Sequence, residues 1–150
     1  MKKYKVKEEV ENAVNDLLVS YGDVAGGPLS PVLLMEQARQ GLTMLYLHDL
    51  CDKMGVSLSE MSTMVHVSLR TLQRYPDHKV LDVDLSSKLL LLTDLYAHGI
   101  DVFGADGYRK WLRSAISALG HDTPLSMLDN PFGIRRVDDT LGQLAHGVFA

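Results

Sequence analysis

Apolar positions along this chain recur three and four residues apart, the spacing that lines one face of a helix. Val6, Val10, Ala13, Val14 and Leu17 form the first such stripe and predict a helix over roughly 6–20. "YGDVAGGPLSP" then interrupts the pattern with three glycines and two prolines. Ser30-Pro31 supplies an N-cap and a proline in the first turn, and Gly41 closes the short helix between them. From Leu42 to Met54 the positions Leu42, Leu45, Tyr46, Leu50 and Met54 share a face, and Gly55 ends the run. A further helix is predicted from Leu85 to His98, with Asp84 as cap and Gly99 as stop. Its apolar surface (Leu85, Leu89, Leu92 and Tyr96, widened by Leu90, Leu91 and Leu95) is broad enough to be covered on more than one side. Tyr108, Trp111, Leu112, Ala115 and Leu119 make another helical stripe, ended by Gly120. Thr123-Pro124 opens a short turn through Leu128, and Asn130-Pro131-Phe132-Gly133 leads into a last helix. That helix turns Ile134, Val137, Leu141 and Leu144 inward and Arg135, Arg136, Asp138 and Asp139 outward, with Gly147 as its stop. Gly142 within it costs about 1 kcal/mol against alanine, which close approach by a neighbour would justify. A period of two never persists, so the fold class is all-α.

Leu47–Tyr75 divides into three short helices at tight intervals. Gly55-Val56-Ser57 ends the first, Ser57 or Ser59 caps the second, and His66-Val67-Ser68 forms a short turn. Ser68 caps the third, which stops before Pro76. This is the helix-turn-helix pattern, whose second helix enters the major groove of DNA. Leu69 and Leu72 face inward, while Arg70, Thr71, Gln73 and Arg74 face outward. Arginine suits guanine, glutamine suits adenine, and hydroxyls bond phosphates or base edges, so Ser68, Arg70, Thr71, Gln73 and Arg74 are the candidate DNA contacts. His66, His78 and Lys79 could add phosphate contacts, opposed by Asp77, Asp82 and Asp84 nearby. The tight turn of such motifs usually holds glycine, and His66 stands there instead. The competing explanation is a three-helix packing unit with merely solvated arginines.

Composition narrows the classes. The chain has 150 residues, 46% of them hydrophobic and 23% charged, enough for one domain or two small ones with a core that needs no disulfide. The single cysteine, Cys51, lies in an apolar run and reads as an inert core thiol. Neither a signal peptide nor the roughly 20 apolar residues of a membrane span occurs, so a cytoplasmic location is expected. A formal net charge of −4 excludes a generic nucleic-acid coat protein, because non-specific binders are basic. DNA contact must come from a local basic face, weak in one copy, and a homodimer within a larger assembly is expected. The six histidines are scattered, with no metal-ligand spacing, nucleophile motif or phosphate loop among them, so no enzyme, metal or cofactor is expected.

The ordered set Trp111, Leu119-Gly120, Pro124, Leu128, Asn130, Gly133, Val137, Leu141-Gly142 and His146-Gly147 resembles the C-terminal toxin-binding domain of Xre/MbcA/ParS-type antitoxins. "RTLQRY" at Arg70–Tyr75 and "VFG" at Val102–Gly104 are similar to that family as well, and the likeness covers about residues 38–150. Asn130 stands where threonine is common, and Gln143 and Ala145 where arginine and glutamate are frequent. The resemblance implies an Xre-like helix-turn-helix domain followed by a small helical toxin-binding domain. Its division of the chain is a helical extension at 1–40, the DNA-binding domain at 41–99 and the toxin-binding domain at 100–150. The implied function is a type II antitoxin that blocks a RES-domain, NAD-depleting toxin and represses its own operon by binding operator DNA. Phe132, Arg135, Asp139, His146, Gly147, Val148, Phe149 and Ala150 are the implied toxin contacts, with the apolar tip Val148-Phe149-Ala150 expected to enter the toxin's cleft. There Phe149 would supply buried area and the Ala150 carboxylate could pair with a cationic group. The alternative is a stand-alone helix-turn-helix regulator whose C-terminal unit dimerises or senses a ligand.

Overall fold

Side-chain caps mark where most helices of this chain begin, except α2, where Ser30 makes no capping hydrogen bond and Pro31 opens the first turn. The computed structural model describes residues 14–18 and 30–147. Residues 14–18 form a helical segment, α1, followed by α2 (Pro31–Gln40), α3 (Met44–Met54), α4 (Leu58–Val65), α5 (Leu69–Arg74), α6 (Val83–Leu112) and α7 (Pro131–Ala145). Thr43, Ser57, Ser68, Asp82 and Asn130 each accept a first-turn backbone N–H of the helix that follows. Each such cap is worth about 1 kcal/mol. At α4 the cap is reciprocal: Ser57 Oγ accepts from Glu60 N–H while the Glu60 carboxylate accepts from Ser57 N–H, both at 3.0 Å. Short 3-10 turns at Ser117–Leu119 and Pro124–Met127 complete the described residues, with one isolated antiparallel bridge between Thr43 and Val80. The all-α expectation holds.

A continuous core runs the length of α6. Leu47, Leu50 and Met54 of α3, Met61 and Val65 of α4, and Leu72 of α5 pack in the same buried cluster as Leu85, Leu89 and Leu92. Tyr108, Leu112, Leu119, Leu128, Val137 and Leu141 extend it into the C-terminal part. Several polar groups inside this core are bonded, while the buried Tyr108 hydroxyl has no hydrogen-bond partner among the described residues. Ser86 Oγ accepts from Leu42 N–H at 2.9 Å and donates to the Leu81 carbonyl, and the Asp49 carboxylate accepts from Val14 N–H at 2.6 Å, fastening α1 to α3. Thr93 spends its proton on the Leu89 carbonyl, so Tyr46 O–H donates to Thr93 Oγ1 at 2.6 Å. Cys51 is buried, and burial pushes its thiol up to about 12, as fits an inert core residue. No helix of the described residues is long and apolar enough to cross a membrane.

Several boundaries differ from those the periodicity predicts. The long helix is capped by Asp82 rather than Asp84, and it passes through Gly99 without stopping. Gly99 serves close approach instead: a Cβ there would overlap the ring of Tyr108, which packs against the helix at that point. The break comes at Gly104, whose φ of 74° and ψ of 169° only glycine adopts without strain, and the helix resumes in a new direction to Leu112. The predicted stripe from Tyr108 to Leu119 is therefore not one helix. Ile116 N–H donates to the Asp122 carbonyl across a small loop, Ala115 is exposed, and Leu119 reaches the core from a separate turn. In α7, Gly142 meets no close neighbour, the nearest atom to an added Cβ being His98 Cε1 at 3.9 Å. The glycine that close approach requires is Gly133, where a Cβ would overlap the Met127 carbonyl oxygen. The predicted helix over 6–20 is described only at 14–18, and its remaining positions lie outside the described residues.

Candidate functional site

The helix-turn-helix forms where the spacing places it. α4 ends at His66, which adopts the left-handed conformation (φ 59°, ψ 37°) that the tight turn demands. Ser68 then caps α5 by accepting from Thr71 N–H at 3.1 Å, and its hydroxyl donates to Thr71 Oγ1 at 2.8 Å. Those two hydroxyls are thus engaged with each other, and Thr71 is half-buried. The side chains of Arg70, Gln73 and Arg74 are exposed and make no hydrogen bond or ion pair within the described residues. Leu72 is the fully buried anchor of α5, with Leu69 partly buried beside it. Lys79 lies over the Tyr75 ring at 5.4 Å, which keeps its ammonium near the end of α5. The Nε2–H of His66 donates to the Asp129 carbonyl at 2.5 Å, so that nitrogen is engaged within the fold. A non-glycine residue in this conformation costs about 1 kcal/mol or more.

A second exposed face runs along α7. Asn130 Oδ1 accepts from Gly133 N–H at 2.9 Å to start the helix, and Val137, Thr140 and Leu141 are buried against the core. Phe132, Arg135, Arg136, Asp139, Gln143 and His146 are all exposed. At about 100° per residue they fall within an arc of about 100°, one continuous stripe. Phe132 heads it with 77% of its surface in solvent, an exposure rare for a large aromatic. The structure places Phe132, Arg135, Asp139 and His146 on this one stripe, and Gly147 (φ 69°) ends the face. Val148, Phe149 and Ala150 lie outside the described residues. Asp138 and Asp139 diverge: Asp139 points to solvent, whereas Asp138 accepts from His98 Nδ1–H at 2.6 Å and pins α7 to α6.

Side chains that helical periodicity does not reveal tie α6 to α3 and α4. Arg109 Nε–H donates to the Lys53 carbonyl at 3.0 Å, near the C-terminal end of α3. Arg113 grips Glu60 through both guanidinium ends, at 3.1 and 2.9 Å, and donates to the Gly55 carbonyl at 2.8 Å. The Arg113 hydrogen bond, with the Ser57 backbone bond behind it, holds the Glu60 carboxyl down at about 2, and the same contact raises Arg113. Lys88 Nζ donates to the Val65 carbonyl at 3.0 Å, closing the C-terminal end of α4. Beside these links an open groove of about 310 Å³ is lined by Glu60, Thr63 and Met64 from α4 and by Thr123, Leu125, Ser126 and Asp129. Among the described residues no group of three or more His, Cys, Asp or Glu side chains is placed to hold a metal ion.

Residues 33–93 match the model of the antitoxin Xre-like helix-turn-helix domain, and residues 98–147 match that of the antitoxin Xre/MbcA/ParS C-terminal toxin-binding domain. The chain belongs to the Xre/MbcA/ParS antitoxin family. Among curated proteins it is similar to an antitoxin Xre of Yersinia enterocolitica, 40% identical over 53 residues, which is 34% of this chain and 36% of that protein. It is also similar to an antitoxin Xre of Photorhabdus laumondii, 31% identical over 67 residues, or 43% of this chain and 45% of the relative. The matched stretches thus span less than half of either relative. In this Xre-family chain the two family-matched regions meet inside α6, so a single helix carries both. Val102-Phe103-Gly104 falls at the kink: Gly104 redirects the helix so that Arg109 and Arg113 reach the α3–α4 turn.

Proposed function

We propose that this chain is the antitoxin of a type II toxin–antitoxin pair. The α7 face headed by Phe132 docks on the toxin, and α5 presents Arg70, Gln73 and Arg74 to operator DNA so that the protein represses its own operon. The observation that carries this proposal is the exposed Phe132 at the head of a polar stripe, within the stretch that matches a toxin-binding domain. A solvent-exposed phenylalanine rimmed by arginine, aspartate and histidine has the make-up of an interface anchor. The proposed partner is a RES-domain toxin that depletes NAD, and the proposed contact set is Phe132, Arg135, Asp139, His146 and Gly147 together with Val148, Phe149 and Ala150. Ser68 and Thr71 act on DNA indirectly, by capping and orienting α5. The acidic net charge makes a single copy a weak DNA binder, so operator binding proceeds through a homodimer within the toxin–antitoxin complex.

Co-expression with the toxin encoded by the adjoining reading frame tests this function. Growth and the cellular NAD level should both recover with this chain and fail to recover with Phe132→Asp, while Arg74→Ala should protect cells but lose repression of a reporter. A neighbouring gene with no toxic product, together with operator binding by the isolated protein, would instead identify a stand-alone regulator.

A further inference from the structure

The turn of the helix-turn-helix is tied to the segment that launches α7. His66 Nε2–H meets the Asp129 carbonyl across 63 positions of sequence. Asp129 also offers a carboxylate oxygen to the Asn130 amide at 3.0 Å, and Asn130 caps the helix whose second residue is Phe132. One hydrogen bond therefore separates the turn that aims α5 from the start of the α7 face. The ends of α4 are fixed independently, by Arg113 at Glu60 and by Lys88 at the Val65 carbonyl. Between α4 and residues 123–129 lies the open groove, so His66 spans a gap that packing does not fill. Glycine would satisfy the left-handed backbone at position 66 without strain. The imidazole there thus has a use that the turn itself does not require.

We propose that His66 is a positioning residue that couples the two interfaces. A toxin seated on Phe132 steadies Asp129, the bond to His66 steadies the turn, and α5 is thereby held in its DNA-reading orientation. Toxin and operator then reinforce each other's binding, and by linkage the factor is the same in both directions. The inference rests on the roles proposed above for α5 and α7. Because the acceptor is a backbone carbonyl, the bond to the turn depends on the side chain at 66 and not on the one at 129.

His66→Gly is the discriminating variant, since it keeps the left-handed turn and removes the imidazole. The full chain, the toxin from the adjoining reading frame and a duplex of the upstream DNA are titrated in all pairwise and ternary combinations. In the wild type the toxin should raise operator affinity roughly tenfold. In His66→Gly that factor should fall to near one, while each pairwise affinity stays within about twofold and the melting temperature does not drop. Hydrogen exchange measured without toxin or DNA should quicken at the amides of residues 130 and 132–134. An unchanged coupling factor in the variant, no coupling in the wild type, or unaltered exchange would each overturn the proposal while leaving the antitoxin function standing. A wild-type chain that binds no toxin would overturn that function and the coupling with it, and the exchange measurement would still report whether the link exists.

Discussion

Helix α5, the second of the helix-turn-helix, and helix α7, the proposed toxin-facing helix, both present polar side chains to solvent, and they are held in opposite ways. α5 has six residues and one fully buried side chain, Leu72. A helix that short has no stability of its own in water, so its aim is set by the Ser68 cap, the His66 turn and the packing of α4. α7 has fifteen residues, buries Val137, Thr140 and Leu141, and is pinned by the His98–Asp138 bond. Its exposed stripe follows from its own period. A surface built on borrowed support is sensitive to changes elsewhere in the fold, whereas the α7 face beyond its first turn rests on its own buried side chains.

The largest expected effect comes from removing the anchor of the weaker helix. Leu72→Ala should cost about 2–5 kcal/mol of stability, read by chemical denaturation, and operator binding should fall further than toxin binding. A loss below about 1 kcal/mol would mean that α5 is supported by something other than this side chain. At the launch of α7, Gly133→Ala forces a methyl group into the Met127 carbonyl and should cost about 1–3 kcal/mol. Its control is Gly142→Ala in the same helix, which meets only an ordinary contact with the His98 ring and should raise stability by up to about 1 kcal/mol. Equal effects at the two glycines would contradict the packing described. Arg70→Ala and Arg74→Ala should each weaken operator binding by about 1–3 kcal/mol and leave the thermal midpoint and toxin affinity unmoved.

The smallest expected effect is electrostatic. Glu60 is held at about 2, below its ordinary 4.5, by Arg113. Its contribution is therefore complete above the ordinary carboxylate range and is lost as pH falls from about 4.5 toward 2. Both partners are substantially exposed, so screening limits the effect to about 0.5–1 kcal/mol. Denaturation midpoints for wild type and Arg113→Gln should converge at the acid end of that window. Curves that stay parallel throughout would remove the pair from any role in joining α4 to the end of α6.

Much of this was legible in the sequence because it rests on local rules. Ser57, Ser68, Thr123 and Asn130 are polar residues placed just ahead of apolar periods, and each became a cap. His66 in the turn position took the left-handed backbone, and the α7 stripe follows from counting residues. The errors cluster where a distant neighbour decides. Gly99 has the local signature of a stop, but Tyr108 needs the space beside it, so the helix continues to a break at Gly104. The spacing of Ala115 and Leu119 fits a helix that the Ile116–Asp122 backbone bond replaces with a loop. Arg109, Arg113 and the His66–Asp129 contact join residues more than fifty positions apart, and no periodicity encodes such pairs.

The central claim is that toxin and operator are met by separate faces of one molecule. Phe132→Asp tests it most directly, with calorimetric titration against both the toxin and the upstream duplex. Toxin affinity should fall at least tenfold, with operator affinity and melting temperature unchanged. Toxin affinity equal to that of the wild type would show that the α7 face is not where the partner docks.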